Sequence, residues 1–119
     1  MERVLEIVSR EILAAQTIIT RFKADLEKDP AQAFYWGESS MKAAAALDVW
    51  TEIGDMHQKG WTAEMLATKL QKDALKAAKS AEFSSQVTAN LMRQFRLAAL
   101  SNAAEEMDYL VKYETKTAA

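Results

Sequence analysis

The sequence has 119 residues, no cysteine, three glycines and one proline, and its formal net charge at pH 7 is −2. The absence of cysteine excludes disulfide bonds, thiolate nucleophiles and cysteine-based zinc sites, and it suits a reducing compartment such as the cytoplasm. The slightly acidic balance excludes a global attraction to nucleic acid, and no apolar run approaches the roughly 20 residues of a membrane span. We therefore expect a single helical domain over residues 1–119, in the cytoplasm and outside the membrane.

The first predicted helix runs from about residue 3 to residue 28. Apolar residues recur along it every three or four positions and form one stripe, whereas charged residues fall largely on the opposite side. The stripe consists of Val4, Val8, Ile12, Ala15, Ile19, Phe22 and Leu26. This pattern is typical of a helix that packs on a core through one face.

A short second helix of about two turns is predicted next. Asp29 is its expected N-cap, Pro30 its first residue and Gly37 its left-handed end. The segment between them contains three consecutive aromatic residues, Phe34, Tyr35 and Trp36. Successive helical residues point about 100° apart, so the three rings cannot all face one core. Either they cover the end of a bundle, or at least one of them is exposed and anchors an interface.

Ser39 or Ser40 is expected to cap the next helix, from about residue 40 to residue 58. Its predicted inner face consists of Ala46, Val49, Trp50, Ile53, Met56 and His57. Its opposite face carries an acidic stripe, Asp48, Glu52 and Asp55. This acidic stripe is either a solvated surface or a contact for a basic partner, where it would raise the association rate.

Gly60 is predicted to end that helix, and Thr62 to cap the next one, from about residue 63 to residue 79. Trp61 and Leu66 have the spacing of a hydrophobic staple. Four lysines spaced 3, 4 and 3 residues apart form a lysine face, Lys69, Lys72, Lys76 and Lys79. This lysine face is either a solvated surface or a ladder along a phosphate backbone, where each contact releases counterions. Arg93 and Arg96 would extend it if the last helix lies alongside.

The last predicted helix begins near Ser84 or Ser85 and reaches about residue 113. One apolar stripe consists of Leu91, Phe95, Ala98 and Ala99. A second stripe has the 3, 4, 3, 4 spacing of a short heptad seam and consists of Leu97, Leu100, Ala104, Met107 and Val111. A helix that is apolar on two sides is either central in its own bundle or shared with a second copy of the chain.

The expected fold is all-α. Short connections predict that consecutive helices are antiparallel neighbours. We therefore expect an antiparallel bundle of four main helices, with a short extra helix between the first and the second.

No residue pattern in the sequence predicts an enzyme. The single histidine, His57, lies on the apolar side of its helix near the C-terminal end and has no acid–base partner in the local sequence. We interpret it as a core or helix-capping residue. Residues 52–57 match neither the zinc-protease nor the di-iron pattern, and no glycine-rich phosphate loop occurs. We expect no catalytic residue, metal or cofactor.

Two segments, DPAQAFYWGESSMKAAAALDV and SSQVTANLMRQFRLAALSNAAEEMDYL, resemble small uncharacterised helical proteins of tailed bacteriophages. The resemblance covers about half of the chain. It rests on Asp29-Pro30, Phe34 and Trp36, Ala43 to Ala46, Ser84-Ser85, and Asn90-Leu91-Met92. It implies a viral accessory role and brings no catalytic residues with it.

These features together predict a non-enzymatic binding protein. Its expected partner is a protein, and the phage resemblance implies a host protein or defence complex that the chain modulates or inhibits. The expected contacts are Tyr35, Trp36 and the acidic stripe. One alternative is a small nucleic-acid-binding subunit that uses the lysine face. A structural subunit that forms a homodimer through the heptad seam is another.

Overall fold

The computed structural model shows four α-helices in the part of the chain that it describes. The described part comprises the backbone of residues 2–80 and 87–118 and the side chains of residues 3–31, 37–79 and 91–113. The helices are α1 (Glu2–Lys28), α2 (Gln32–Gln58), α3 (Ala63–Ser80) and α4 (Val87–Ala118). No strand occurs in the described ranges, so the prediction of an all-α fold with four main helices is confirmed. The predicted caps Ser84 and Ser85 lie outside the described residues.

The short second helix is not a separate element, because α2 is continuous from Gln32 to Gln58 and includes Gly37. A glycine inside a helix costs only about 1 kcal/mol relative to alanine, which does not end a helix when good helix formers follow. Ser39 and Ser40 consequently lie within α2. The N-cap of α2 is Ala31, which has no side-chain cap bond, so the prediction of Asp29 as the N-cap and Pro30 as the first helical residue is wrong. Asp29 instead lies in the preceding turn, where its Oδ1 accepts a hydrogen bond from the Ala31 N–H at 3.1 Å.

The turn between α2 and α3 is built as the sequence predicts. Gly60 has a φ of 102°, its N–H donates to the His57 carbonyl at 3.0 Å, and the Trp61 N–H donates to the Met56 carbonyl at 3.1 Å. These two bonds form a Schellman motif. Thr62 Oγ1 then accepts a hydrogen bond from the Met65 N–H at 3.2 Å and caps α3.

His57 is part of this turn. Its Nδ1 lies 2.8 Å from the carbonyl oxygen of Trp61, and the ring is partly buried. A carbonyl oxygen only accepts hydrogen bonds, so Nδ1 carries the proton and donates. The ring therefore ties the last turn of α2 to the α2–α3 turn.

The helices pack in the order α1, α2, α4, α3. The main contacts join α1 to α2, α2 to α4, and α4 to α3, whereas α1 has few contacts with α4 and α2 has few with α3. The radius of gyration is 16.1 Å, against about 13.5 Å for a compact domain of this length. The bundle is therefore elongated, with extents of 54 × 34 × 23 Å.

The core lies near the α2–α3 turn. It takes residues from the first half of α1, the second half of α2, the first half of α3 and the middle of α4. Its largest fully buried side chains are Val4, Val49, Ile53, Leu66, Leu70 and Met107. None of the described polar or charged side chains is buried. None of the described helices combines the length and the apolarity that crossing a bilayer requires.

The heptad seam of α4 is largely covered by the chain itself. Leu100, Ala104 and Met107 are buried, whereas Leu97 and Val111 are half-buried. α3 packs on α4, and Leu97 and Ala104 line a groove between these two helices. Most of the seam is therefore accounted for within one chain, and self-association through it stays a prediction.

Candidate functional site

The aromatic residues predicted as interface anchors lie at the start of α2. The backbone of Tyr35 and Trp36 is helical there. Their side chains lie outside the described ones, so their role in a contact stays a prediction.

The acidic stripe is exposed along α2, and the structure brings it next to basic residues of α4. Asp48, Glu52 and Asp55 all face solvent. Glu52 Oε1 lies 3.6 Å from the Arg96 guanidinium, and the two side chains are 58% and 45% exposed. An ion pair this exposed stabilises a fold by at most about 1 kcal/mol. The pair shows mainly that an acidic residue of α2 and a basic residue of α4 are neighbours.

An open groove runs between α2 and α4 beside this ion pair, and sequence reasoning missed it. We call it the α2–α4 groove. Its volume is about 280 Å³, and its lining is mostly apolar. Its lining residues are Met41, Ala44, Ala45 and Asp48 from α2, and Met92, Arg93, Phe95 and Arg96 from α4.

The sequence of α2 explains why this groove is open. Met41, Ala45 and Asp48 are spaced four and three residues apart, so they lie on one side of the helix. The small side chains of Ala44 and Ala45 leave a recess between the bulkier residues. Across the recess, Phe95 is buried and forms the floor, whereas Met92 is 60% exposed at the edge. The recess is apolar and open to solvent.

The two walls of the α2–α4 groove carry opposite charges. Asp48 lies on the α2 wall, and the other members of the acidic stripe continue the same row toward the C-terminus of α2. Arg93 and Arg96 lie on the α4 wall. Asp48 and Asp55 make no ion pair with any residue that the structure describes. An acidic rim and a basic rim therefore border one apolar floor.

The lysine face is exposed, but its first member is already paired. Lys72, Lys76 and Lys79 face solvent on α3. Lys69 is half-buried, and its Nζ lies 2.6 Å from Asp73 Oδ2. Arg93 and Arg96 line the α2–α4 groove with the acidic stripe, so the structure associates them with that stripe. The exposed part of the lysine face thus consists of Lys72, Lys76 and Lys79.

Two further apolar grooves that border α4 differ from the α2–α4 groove in chemistry. The groove between α3 and α4 exposes Leu75, and the charged residues in its lining, Glu105 and Asp108, are both acidic. The groove between α1, α2 and α4 is lined largely by alanines. That groove also carries opposite charges on two helices, Glu11 on α1 and Lys42 on α2. Among these three grooves, only the α2–α4 groove has methionines on both walls.

No group of three potential metal ligands occurs among the described residues. Comparison of the chain with protein-family models, with curated proteins and with solved structures finds no match. The function must therefore be argued from the geometry and chemistry of the groove.

Proposed function

We propose that the chain is a non-enzymatic binding protein that takes up a segment of a protein partner in the α2–α4 groove. The observation that carries this proposal is an apolar recess between Met41 and Met92, bordered by an acidic rim on one side and a basic rim on the other. Apolar area supplies affinity, and charges at the rim supply specificity and association rate.

The open shape of the groove favours a protein segment over a small molecule. Sites for small molecules enclose about 300–1,000 Å³ and bury most of the ligand. This groove has about 280 Å³ and is open along its length. It suits two or three apolar side chains that project from a larger partner.

The methionines favour the same proposal. Methionine has an unbranched, flexible side chain and a polarizable sulfur, and it is used on surfaces that adapt to a partner. Met92 is largely exposed at the mouth of the groove, where it has no packing role in the core. It is therefore free to repack against a bound partner segment.

The identity of the partner rests on the resemblance to phage proteins alone. That resemblance supports a host protein or defence complex, which the bound chain modulates or inhibits. Tyr35 and Trp36 precede Met41 on α2, so we include them as candidates for the same contact. We also infer that the consecutive helices are antiparallel, since connections of a few residues join them.

Filling the groove with a bulky side chain should remove partner binding without unfolding the chain. Ala44 is exposed and lines the groove, so Ala44→Trp fills the recess and leaves the core intact. Ala24 is an exposed alanine on α1 outside the groove, and Ala24→Trp is the matched control. We expect both variants to keep the helicity of the wild type by circular dichroism.

Affinity purification from host lysate with the three proteins as baits provides the measurement. The proposal predicts at least one protein that the wild type and Ala24→Trp enrich equally and that Ala44→Trp loses at least tenfold. If every protein enriched by the wild type is kept by Ala44→Trp, binding lies elsewhere and the proposal is wrong.

A further inference from the structure

We infer that the occupant of the α2–α4 groove is an amphipathic helix with basic residues along one edge and acidic residues along the other. This inference rests on the proposed function and specifies the chemistry of the partner. It follows from the shape of the groove, the hydrogen-bonding needs of the occupant and the placement of charge on the two walls.

The backbone of the occupant must satisfy its own hydrogen bonds. An extended peptide gains affinity by adding a strand to an exposed sheet edge. The described residues of this chain form helices and no strand, so they present no such edge. A helix pairs its backbone groups internally and needs only side-chain contacts. The groove therefore suits a helix better than an extended segment.

The length and the floor of the groove fit two turns of such a helix. The α2 wall extends from Met41 to Asp48, which is about 10 Å at 1.5 Å per residue. Ala44 and Ala45 let the occupant approach α2 closely. Apolar residues at positions i, i+3, i+4 and i+7 of the occupant would point into the recess toward Phe95.

The charges on the walls specify the edges of the occupant. Asp48, Glu52 and Asp55 follow one another at helical spacing along α2, so a helix beside them is matched by Lys or Arg on that edge. Arg93 and Arg96 on α4 match Asp or Glu on the other edge. A partner with one sign of charge on both edges would meet repulsion at one wall.

The charge order also specifies the direction of the occupant. Turning a helix end for end on the groove floor exchanges its two edges. A helix with one basic and one acidic edge therefore has a single favourable direction relative to α2. Exchanging the two edges of the peptide should preserve binding and reverse its direction.

A display library of helical peptides tests the inference. The peptides have about 15 residues, or four turns, with a fixed apolar stripe and random residues on both edges. Selection is carried out on the wild type and on the double variant Asp48→Lys/Asp55→Lys. These two acidic residues make no ion pair within the described structure, so their reversal should leave the fold unchanged.

The wild type should select peptides with one basic and one acidic edge. A selected peptide should bind the double variant at least tenfold more weakly, and selection on the variant should replace the basic edge with neutral or acidic residues. The inference would be overturned if the wild type and the double variant selected peptides with the same edge charges. It would also be overturned if the library gave no binders. Ala44→Trp distinguishes failure of this inference from failure of the proposed function. Peptides that lose affinity for Ala44→Trp but bind the charge-reversed variant normally would support binding in the groove and contradict the charged edges. Peptides that bind Ala44→Trp as tightly as the wild type would contradict the proposed function.

Discussion

Replacing Met107 with glutamate should unfold the chain instead of separating two copies. Met107 is 0% exposed and belongs to the core cluster that all four helices form. The variant loses the apolar contacts of the methionine and places a carboxylate where no described polar group is buried. A buried charge without a partner costs several kcal/mol, and a domain of this size has about 5–15 kcal/mol of stability. We expect a loss of more than about 4 kcal/mol.

The control for Met107→Glu is Gln94→Glu on the same helix. Gln94 is exposed, so its change should alter the free energy of unfolding by no more than about 0.5 kcal/mol. Circular dichroism melting with light scattering on the same samples distinguishes the outcomes. A Met107→Glu protein that stays helical and becomes half its former mass would show that the heptad seam joins two copies. It would contradict the burial of the seam within one chain.

The second large effect is expected for Trp50→Ala, which should destabilise the chain by about 3–5 kcal/mol. Trp50 is 3% exposed on α2, the helix that contacts both α1 and α4. Its removal leaves a large cavity in the core cluster, and the neighbouring helices relax into it only in part. The melting temperature should fall by about 10–20 °C.

Thr51→Ala is the adjacent control, because Thr51 is exposed and its hydroxyl donates only to the Leu47 carbonyl of the same helix. We expect its stability to stay within about 0.5 kcal/mol of the wild type. Denaturant unfolding followed by circular dichroism gives both values. Similar small changes for both variants would mean that α2 does not occupy the centre of the bundle.

Local signals in the sequence predicted the local structure well. The apolar stripe of α1 correctly placed Val4 and Val8 in the core, and Gly60 and Thr62 correctly marked the α2–α3 turn. These features depend on residues within one or two turns of each other. Gly37 was misread for the same reason, because its local signal for a helix end is weaker than the helix-forming tendency of the residues around it.

The groove depends on which helices become neighbours, and periodicity within one helix does not determine that. Met41 and Ala45 share a side of α2 with the acidic stripe, and the sequence left that stripe open as either a solvated surface or a contact for a partner. α4 then places Met92, Arg93 and Arg96 beside it. One signal in the sequence could have indicated the groove. Met41 and Ala45 begin the same row of α2 that Asp48, Glu52 and Asp55 continue, so one side of the helix changes from apolar to acidic along its length.

Methionine methyl NMR tests binding in the groove most directly. The six methionines are labelled with ¹³C at the methyl group, and a peptide selected on the wild type is added. We expect the signals of Met41 and Met92 to shift together at one affinity, while Met107 in the core and Met65 on the exposed side of α3 stay unchanged. A shift of Met65 with no change at Met41 and Met92 would place the partner at α3 and contradict binding in the α2–α4 groove.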